Sequence, residues 1–155
     1  MNKKYLIGLC IGLGFTATGA IAATEEVNSM LYQVSVEQNE TIELANGVSI
    51  ETGGLFHANI VNADGEHLSQ WCRGTFASKG DTFLGGAGFC TIVDSEGDFF
   101  WVWYTPTGPT TNDWGVIGGT GQYQGATGGG TTEQVAVLPD GRTTVALSKG
   151  TITTR

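Results

Sequence analysis

Apolar and polar residues alternate along most of this chain with a period of two. "MLYQVSVE" (Met30–Glu37), "LFHANIVN" (Leu55–Asn62), "LSQWCRGTF" (Leu68–Phe76) and "GFCTIVD" (Gly88–Asp94) follow that pattern. "DFFWVWYT" (Asp98–Thr105), "WGVIGG", "TTEQVAVL" (Thr131–Leu138) and "RTTVALSKGTITT" continue it to the C-terminus. "TIELANGVSIE" (Thr41–Glu51) reads as one further early strand. Alternation with β-branched and aromatic residues predicts strands. No long window repeats apolar residues at the three-and-four spacing of a helix. Asp-Gly or Glu-Gly pairs sit in "ADGEH", "SEGD" and "PDGR", where positive φ comes cheaply. The connections are short, so the strands form an antiparallel meander of about eight. A sheet that long must close or fold on itself to hide its edges. The expected fold is all-β, a single antiparallel eight-stranded closed β-barrel; a β-sandwich is the alternative.

The first 22 residues break the pattern. Lys3 and Lys4 precede an apolar run that ends in Ala20-Ile21-Ala22. That order reads as a secretory signal peptide, residues 1–22, cleaved after Ala22 or Ala23. An uncleaved anchor is the rival reading, weakened by Gly8, Gly12, Gly14 and Gly19 inside the run. Residues 23–155 then form one domain, secreted or periplasmic if the source is bacterial. No second apolar run spans a bilayer, so no membrane insertion is expected after cleavage. Without Lys3 and Lys4, five basic residues face fifteen acidic ones, a net charge near −10. Nucleic acid is therefore not an expected partner. Cys10 leaves with the leader. Cys72 and Cys90 remain as an even pair in an oxidising compartment, which predicts a disulfide.

"GGTGQYQGATGGG", Gly118–Gly130, is the most biased stretch. It is not a dinucleotide fingerprint, because Gln124 stands at the third glycine's place and no helix follows. It lacks the Gly-Lys-Ser/Thr of a phosphate loop. A curved strand with bulges or tight corners is what remains.

"GTGQYQGATGGG" resembles the Gly-Thr-Gly, aromatic, Gly-Ala, Gly pattern of the allene oxide cyclase and dirigent-protein barrels. "CTIVDSEGDFFWVWY" resembles the acidic turn beside a tryptophan strand in bacterial members of that group. The resemblance is close from about Phe89 to Gly130 and looser over the rest. It implies an eight-stranded barrel with a cavity and an apolar small-molecule ligand, such as an oxygenated fatty acid or a phenoxy radical. It implies no cofactor and no metal, and a homo-oligomer is compatible with it. A cofactor-independent cyclase or isomerase is one functional expectation. A non-enzymatic binding module for an apolar ligand, a glycan or a protein is the other. No catalytic residue carries over by motif.

Candidate site residues come from the faces of the strands. In "DFFWVWYT", Phe99, Trp101 and Trp103 share one face, and Phe100, Val102 and Tyr104 share the other. Both faces are apolar, so either one suits a cavity. Trp71, Phe99, Trp101, Trp103, Trp114 and Tyr123 are the candidate ligand-binding rings. Arg73 shares the face of Trp71, where it would hold a carboxylate or developing negative charge. His57 is a candidate acid or base if it points inward. Glu133 would act from a barrel mouth. Each has a plainer reading: a surface arginine paired with an acid, a packed histidine, a solvated carboxylate. "DSEGD" lacks the spacing of a calcium loop and reads as a turn with acidic flanks.

Overall fold

The structure is a computed structural model that describes residues 22–155. All but the last residue of the expected leader lies outside the described residues. Nine strands follow in order: β1 Ala23–Ser35, β2 Glu40–Glu43, β3 Val48–Asn62, β4 His67–Lys79 and β5 Thr82–Val93. The others are β6 Phe99–Pro106, β7 Thr111–Gly119, β8 Thr127–Val137 and β9 Thr143–Thr154. Every pairing is antiparallel. From β3 to β9 each strand pairs with the next in sequence, as a meander does. β1 pairs with both β9 and β3, and this closes eight strands into a barrel. The sandwich alternative falls, because closure leaves none of those eight with a free flank along its paired length.

β2 stands outside that ring for a reason of length. β1 covers β3 only from Phe56 to Asn62. The other end of β3 would be an open edge, and β2 pairs there with Ser49–Thr52. The expected strand Thr41–Glu51 is accordingly two strands. Asn46-Gly47 turns the chain between them, with Gly47 at φ 76° and the Asn46 side chain accepting the Val48 N–H. β3 then runs on through a bulge at Gly53-Gly54, where the register with β4 shifts. β5 begins at Thr82, six residues before the expected start at Gly88, because glycines mask its alternation.

The glycine stretch is a corner, as its composition suggested. The chain leaves β7 at Gly118–Gly119, makes one 3₁₀ turn over Gly121–Tyr123, and enters β8 at Thr127. Past the corner, the glycines let three strands approach closely. A methyl at Gly150 would overlap the Gly129 carbonyl and come within 2.8 Å of both Gly130 Cα and Trp114 Cζ2. The Trp114 indole thus lies on a floor that has no side chains.

The acidic turn has a structural role. Asp94 Oδ1 accepts the backbone N–H groups of Glu96 and Asp98, each at 2.9 Å. Its Oδ2 accepts the Gln122 side-chain amide at 2.8 Å. Asp98 in turn accepts the Gln122 backbone N–H. The turn between β5 and β6 is therefore tied to the glycine corner between β7 and β8.

Cys72 and Cys90 face each other directly in the β4–β5 register and are joined as a disulfide. Both point inward and are buried. That fixes which faces look inside. Cys90 is level with Val102, so Phe100, Val102 and Tyr104 face the interior.

Candidate functional site

The barrel encloses a cavity of about 430 Å³. Its walls are buried apolar side chains, chiefly Leu31, Ile60, Leu68, Ile92, Phe100 and Val102, together with the Trp114 ring and the cystine. Each comes from an inward position of the period-two pattern. One end opens among Glu25, Glu26, Asp64 and Glu66, beside Tyr123 and Gln122. At the other end stand Gln33, Phe56, Asn112 and Thr132. These four also border a smaller chamber of about 180 Å³, which reaches Arg142. The interior is thus apolar in its walls, acidic at one rim, and polar toward the opposite end, with Arg142 beyond it.

Tyr104 lies at that polar end. Its ring rests on Gly74 and Gly88, where a methyl on either glycine would overlap it. Burial pushes its hydroxyl up to about 12, so the group stays protonated and can donate a hydrogen bond at neutral pH. Burial also raises Tyr123, and the negative charges of Asp94 and Glu66 add to the effect. Asp94 shifts the other way. Burial alone would raise it, but the bonds from the Gln122 side chain and from the Glu96, Asp98 and Gly97 backbone outweigh that and lower it. Three buried polar side-chain atoms have no hydrogen-bond partner among the described residues: Asn39 Oδ1, Gln70 Oε1 and Trp114 Nε1, the last two on residues that line the cavity.

Of the six candidate rings, two line the cavity: Trp114 and Tyr123. Trp71, Phe99, Trp101 and Trp103 are corrected to the outer face, the side opposite Cys72 and Phe100. Trp71 and Trp101 remain 43% exposed and Trp103 40%. Their rings pack on neighbours within β6 or across strands. Trp71 stacks on His57 with centroids 4.1 Å apart, Phe99 meets Trp101 edge-on at 4.9 Å, and Trp103 lies against Gly115. Phe89, 62% exposed, joins this face and was not among the candidates.

The three candidate catalytic residues also lie outside. His57 points away from the cavity, and its Nε2 is 3.0 Å from Ser69 Oγ. Arg73 pairs with Glu37 at 2.9 Å and donates to the Gly53 carbonyl. Glu133 is exposed on β8. None of the three reaches the interior, because each occupies the outward parity of its strand. A charged side chain turned inward would have lost its hydration in an apolar barrel. Polar groups that do face inward, among them Gln33, Gln70, Tyr104 and Asn112, were not singled out. Tyr104 was legible only as one of two apolar faces, and the amides looked like ordinary strand residues.

No protein-family model and no curated protein matches the sequence. Solved structures of similar fold include two pterocarpan synthase dirigent proteins. One, GePTS1, aligns at a TM-score of 0.58 and 11% identity, over 86% of this chain and 91% of that one. The other, PsPTS1, aligns at 0.55 and 13% identity, over 84% and 94%. The fold is a dirigent-like barrel, as the glycine motif suggested.

Proposed function

We propose that this protein binds a small, predominantly apolar molecule inside its barrel. The observation that carries the proposal is the cavity of about 430 Å³ with apolar walls and a few polar groups at its ends. Sites of that size and make-up are the usual seats of small ligands. The likeness to proteins named pterocarpan synthases supports a guest whose reactive shape the walls would select. On this reading, cyclase-like or isomerase-like steering would come from confinement and from neutral hydrogen bonding. It would not come from His57, Arg73 or Glu133. Export through a cleaved leader belongs to the same proposal; the Cys72–Cys90 disulfide is compatible with an oxidising compartment.

Equilibrium dialysis with naphthalene as an apolar probe tests the cavity. Saturable binding at one site per chain is expected. Val102→Phe, which fills the wall, should weaken that binding at least tenfold while the near-UV dichroism of the fold persists. Absence of saturable binding to the wild-type protein would overturn the proposal.

A second reading rests on the outer face. The exposed rings of Trp71, Phe89, Trp101 and Trp103 suit contact with a glycan, another protein or a further copy of the chain. Alanine at both Trp101 and Trp103 would then abolish that contact and leave naphthalene binding unchanged.

A further inference from the structure

Three uncharged polar side chains line one end of the cavity from different strands: Gln33 on β1, Tyr104 on β6, leaning over β5 toward β4, and Asn112 on β7. No side-chain hydrogen bond among the described residues engages the Tyr104 hydroxyl or the two amides, and none of the three is sealed from solvent, so a ligand would displace water from them. Thr132, next to them, donates its hydroxyl to Ser148 at 3.1 Å and is satisfied. Tyr104 and Asn112 stand on adjacent strands and close in register, since Trp114 is level with Tyr104 and Asn112 with Pro106. The glycines beneath Tyr104 hold its ring against the wall, so its hydroxyl is set by the fold.

The charge layout points the same way. Among the described residues, no lysine, arginine or histidine lines the larger chamber. Its open rim carries Glu25, Glu26, Asp64 and Glu66. Arg142 borders only the smaller chamber, beyond Gln33 and Asn112, and one of its amino groups is engaged by the Ser35 carbonyl at 3.1 Å. An anionic guest would pass four carboxylates and then sit in apolar surroundings without a cation. Stripping water from an unpaired carboxylate costs far more than any contact in such a chamber returns. A neutral oxygen has no such cost. It can accept from the Tyr104 hydroxyl and an amide N–H, and a hydroxyl can also donate to an amide oxygen.

We infer that Gln33, Tyr104 and Asn112 are the specificity-determining groups of the cavity, and that they select a neutral hydroxyl- or carbonyl-bearing apolar ligand over the corresponding carboxylate. The inference rests on the barrel being the ligand site. A donor or acceptor that the wrong ligand strips of water and leaves unpaired is what makes such selection steep.

Three probes of one skeleton separate the possibilities: naphthalene, 1-naphthol and 1-naphthoate, each measured by equilibrium dialysis at pH 7. Wild-type protein should bind 1-naphthol about tenfold more tightly than naphthalene, and naphthoate more weakly than either. Tyr104→Phe and Asn112→Val should each reduce the naphthol preference to threefold or less and leave naphthalene binding within a factor of two. Equal binding of naphthol and naphthalene by the wild type would overturn the inference while the cavity proposal stands. So would naphthoate binding as tightly as naphthol, with loss on Arg142→Gln pointing to the smaller chamber as the reader. Failure of all three probes to bind would remove the cavity proposal itself. The wild-type comparison needs no variant to fold.

Discussion

Reducing the Cys72–Cys90 bond should cost this barrel about 3 kcal/mol of folding stability. The two sulfurs close a loop with a sequence separation of 18. Loop-closure entropy lost from the unfolded chain grows with the logarithm of that length, and for 18 residues it comes to ~3 kcal/mol at room temperature. The native state changes little on reduction. Both cysteines are buried in the cavity wall, and a free thiol there behaves as a small apolar group. The whole effect therefore lies in the unfolded ensemble. Urea unfolding with and without reductant, followed by near-UV dichroism, measures it. With a slope of about 1.5–2 kcal/mol per molar, the midpoint should fall by roughly 1.5–2 M. The Cys72→Ala/Cys90→Ala double variant should start below the oxidised wild type and show no response to reductant. A loss under about 1 kcal/mol would refute the reasoning. Two titratable thiols in the native, unreduced protein would refute it more directly, since the cross-link would then not exist.

Asp94→Asn should lower stability by about 1 kcal/mol at pH 7, because an amide accepts the Gln122 and backbone hydrogen bonds less strongly than a carboxylate. The native carboxyl titrates below its unfolded value. Its contribution is thus complete above about pH 4 and disappears as the pH falls through the lowered native value. Denaturant curves at pH 7 and pH 3 should show a smaller acid loss for the variant than for the wild type; an identical loss would count against that role. Gly150→Ala should destabilise by roughly 1–3 kcal/mol, since the added methyl meets backbone on β8 and the Trp114 ring. A thermal melt reads the cost, and a shift in tryptophan emission should accompany it. An unchanged melting temperature would mean that the strands around the glycine floor separate more easily than their packing implies.

The strands, the turns and the closure of the sheet were legible because they rest on local chemistry. Alternation marks a strand wherever one face is wet and the other dry. Asp-Gly and Glu-Gly pairs mark turns because the backbone there needs positive φ, and Gly65, Gly97 and Gly141 adopt it. Gly128–Gly130 announced a place where side chains do not fit, and the close approach of β7, β8 and β9 supplies the reason. Cys72 and Cys90 formed an even pair before their register was known. The division of Thr41–Glu51 into two strands and a turn was partly visible in Asn46-Gly47. The early start of β5 was hidden, because glycines carry no hydrophobic signal.

Only the closed barrel decided which face of β6 looks inward. Phe99, Trp101 and Trp103 are as apolar as Phe100, Val102 and Tyr104, so a period of two assigns neither. The choice is made across strands: Val102 lies beside the buried cystine, and Tyr104 fits over two glycines of β4 and β5. One clue was present in the chain, since Arg73 and Cys72 must face opposite ways and a charge prefers water. The polar end of the cavity had no such clue. Gln33 lies on a strand far in sequence from those of Tyr104 and Asn112, and what places all three at one end of the same cavity is the curvature and register of the whole sheet. Local pattern determines what each segment becomes; long-range pairing determines which side chains share an enclosed space.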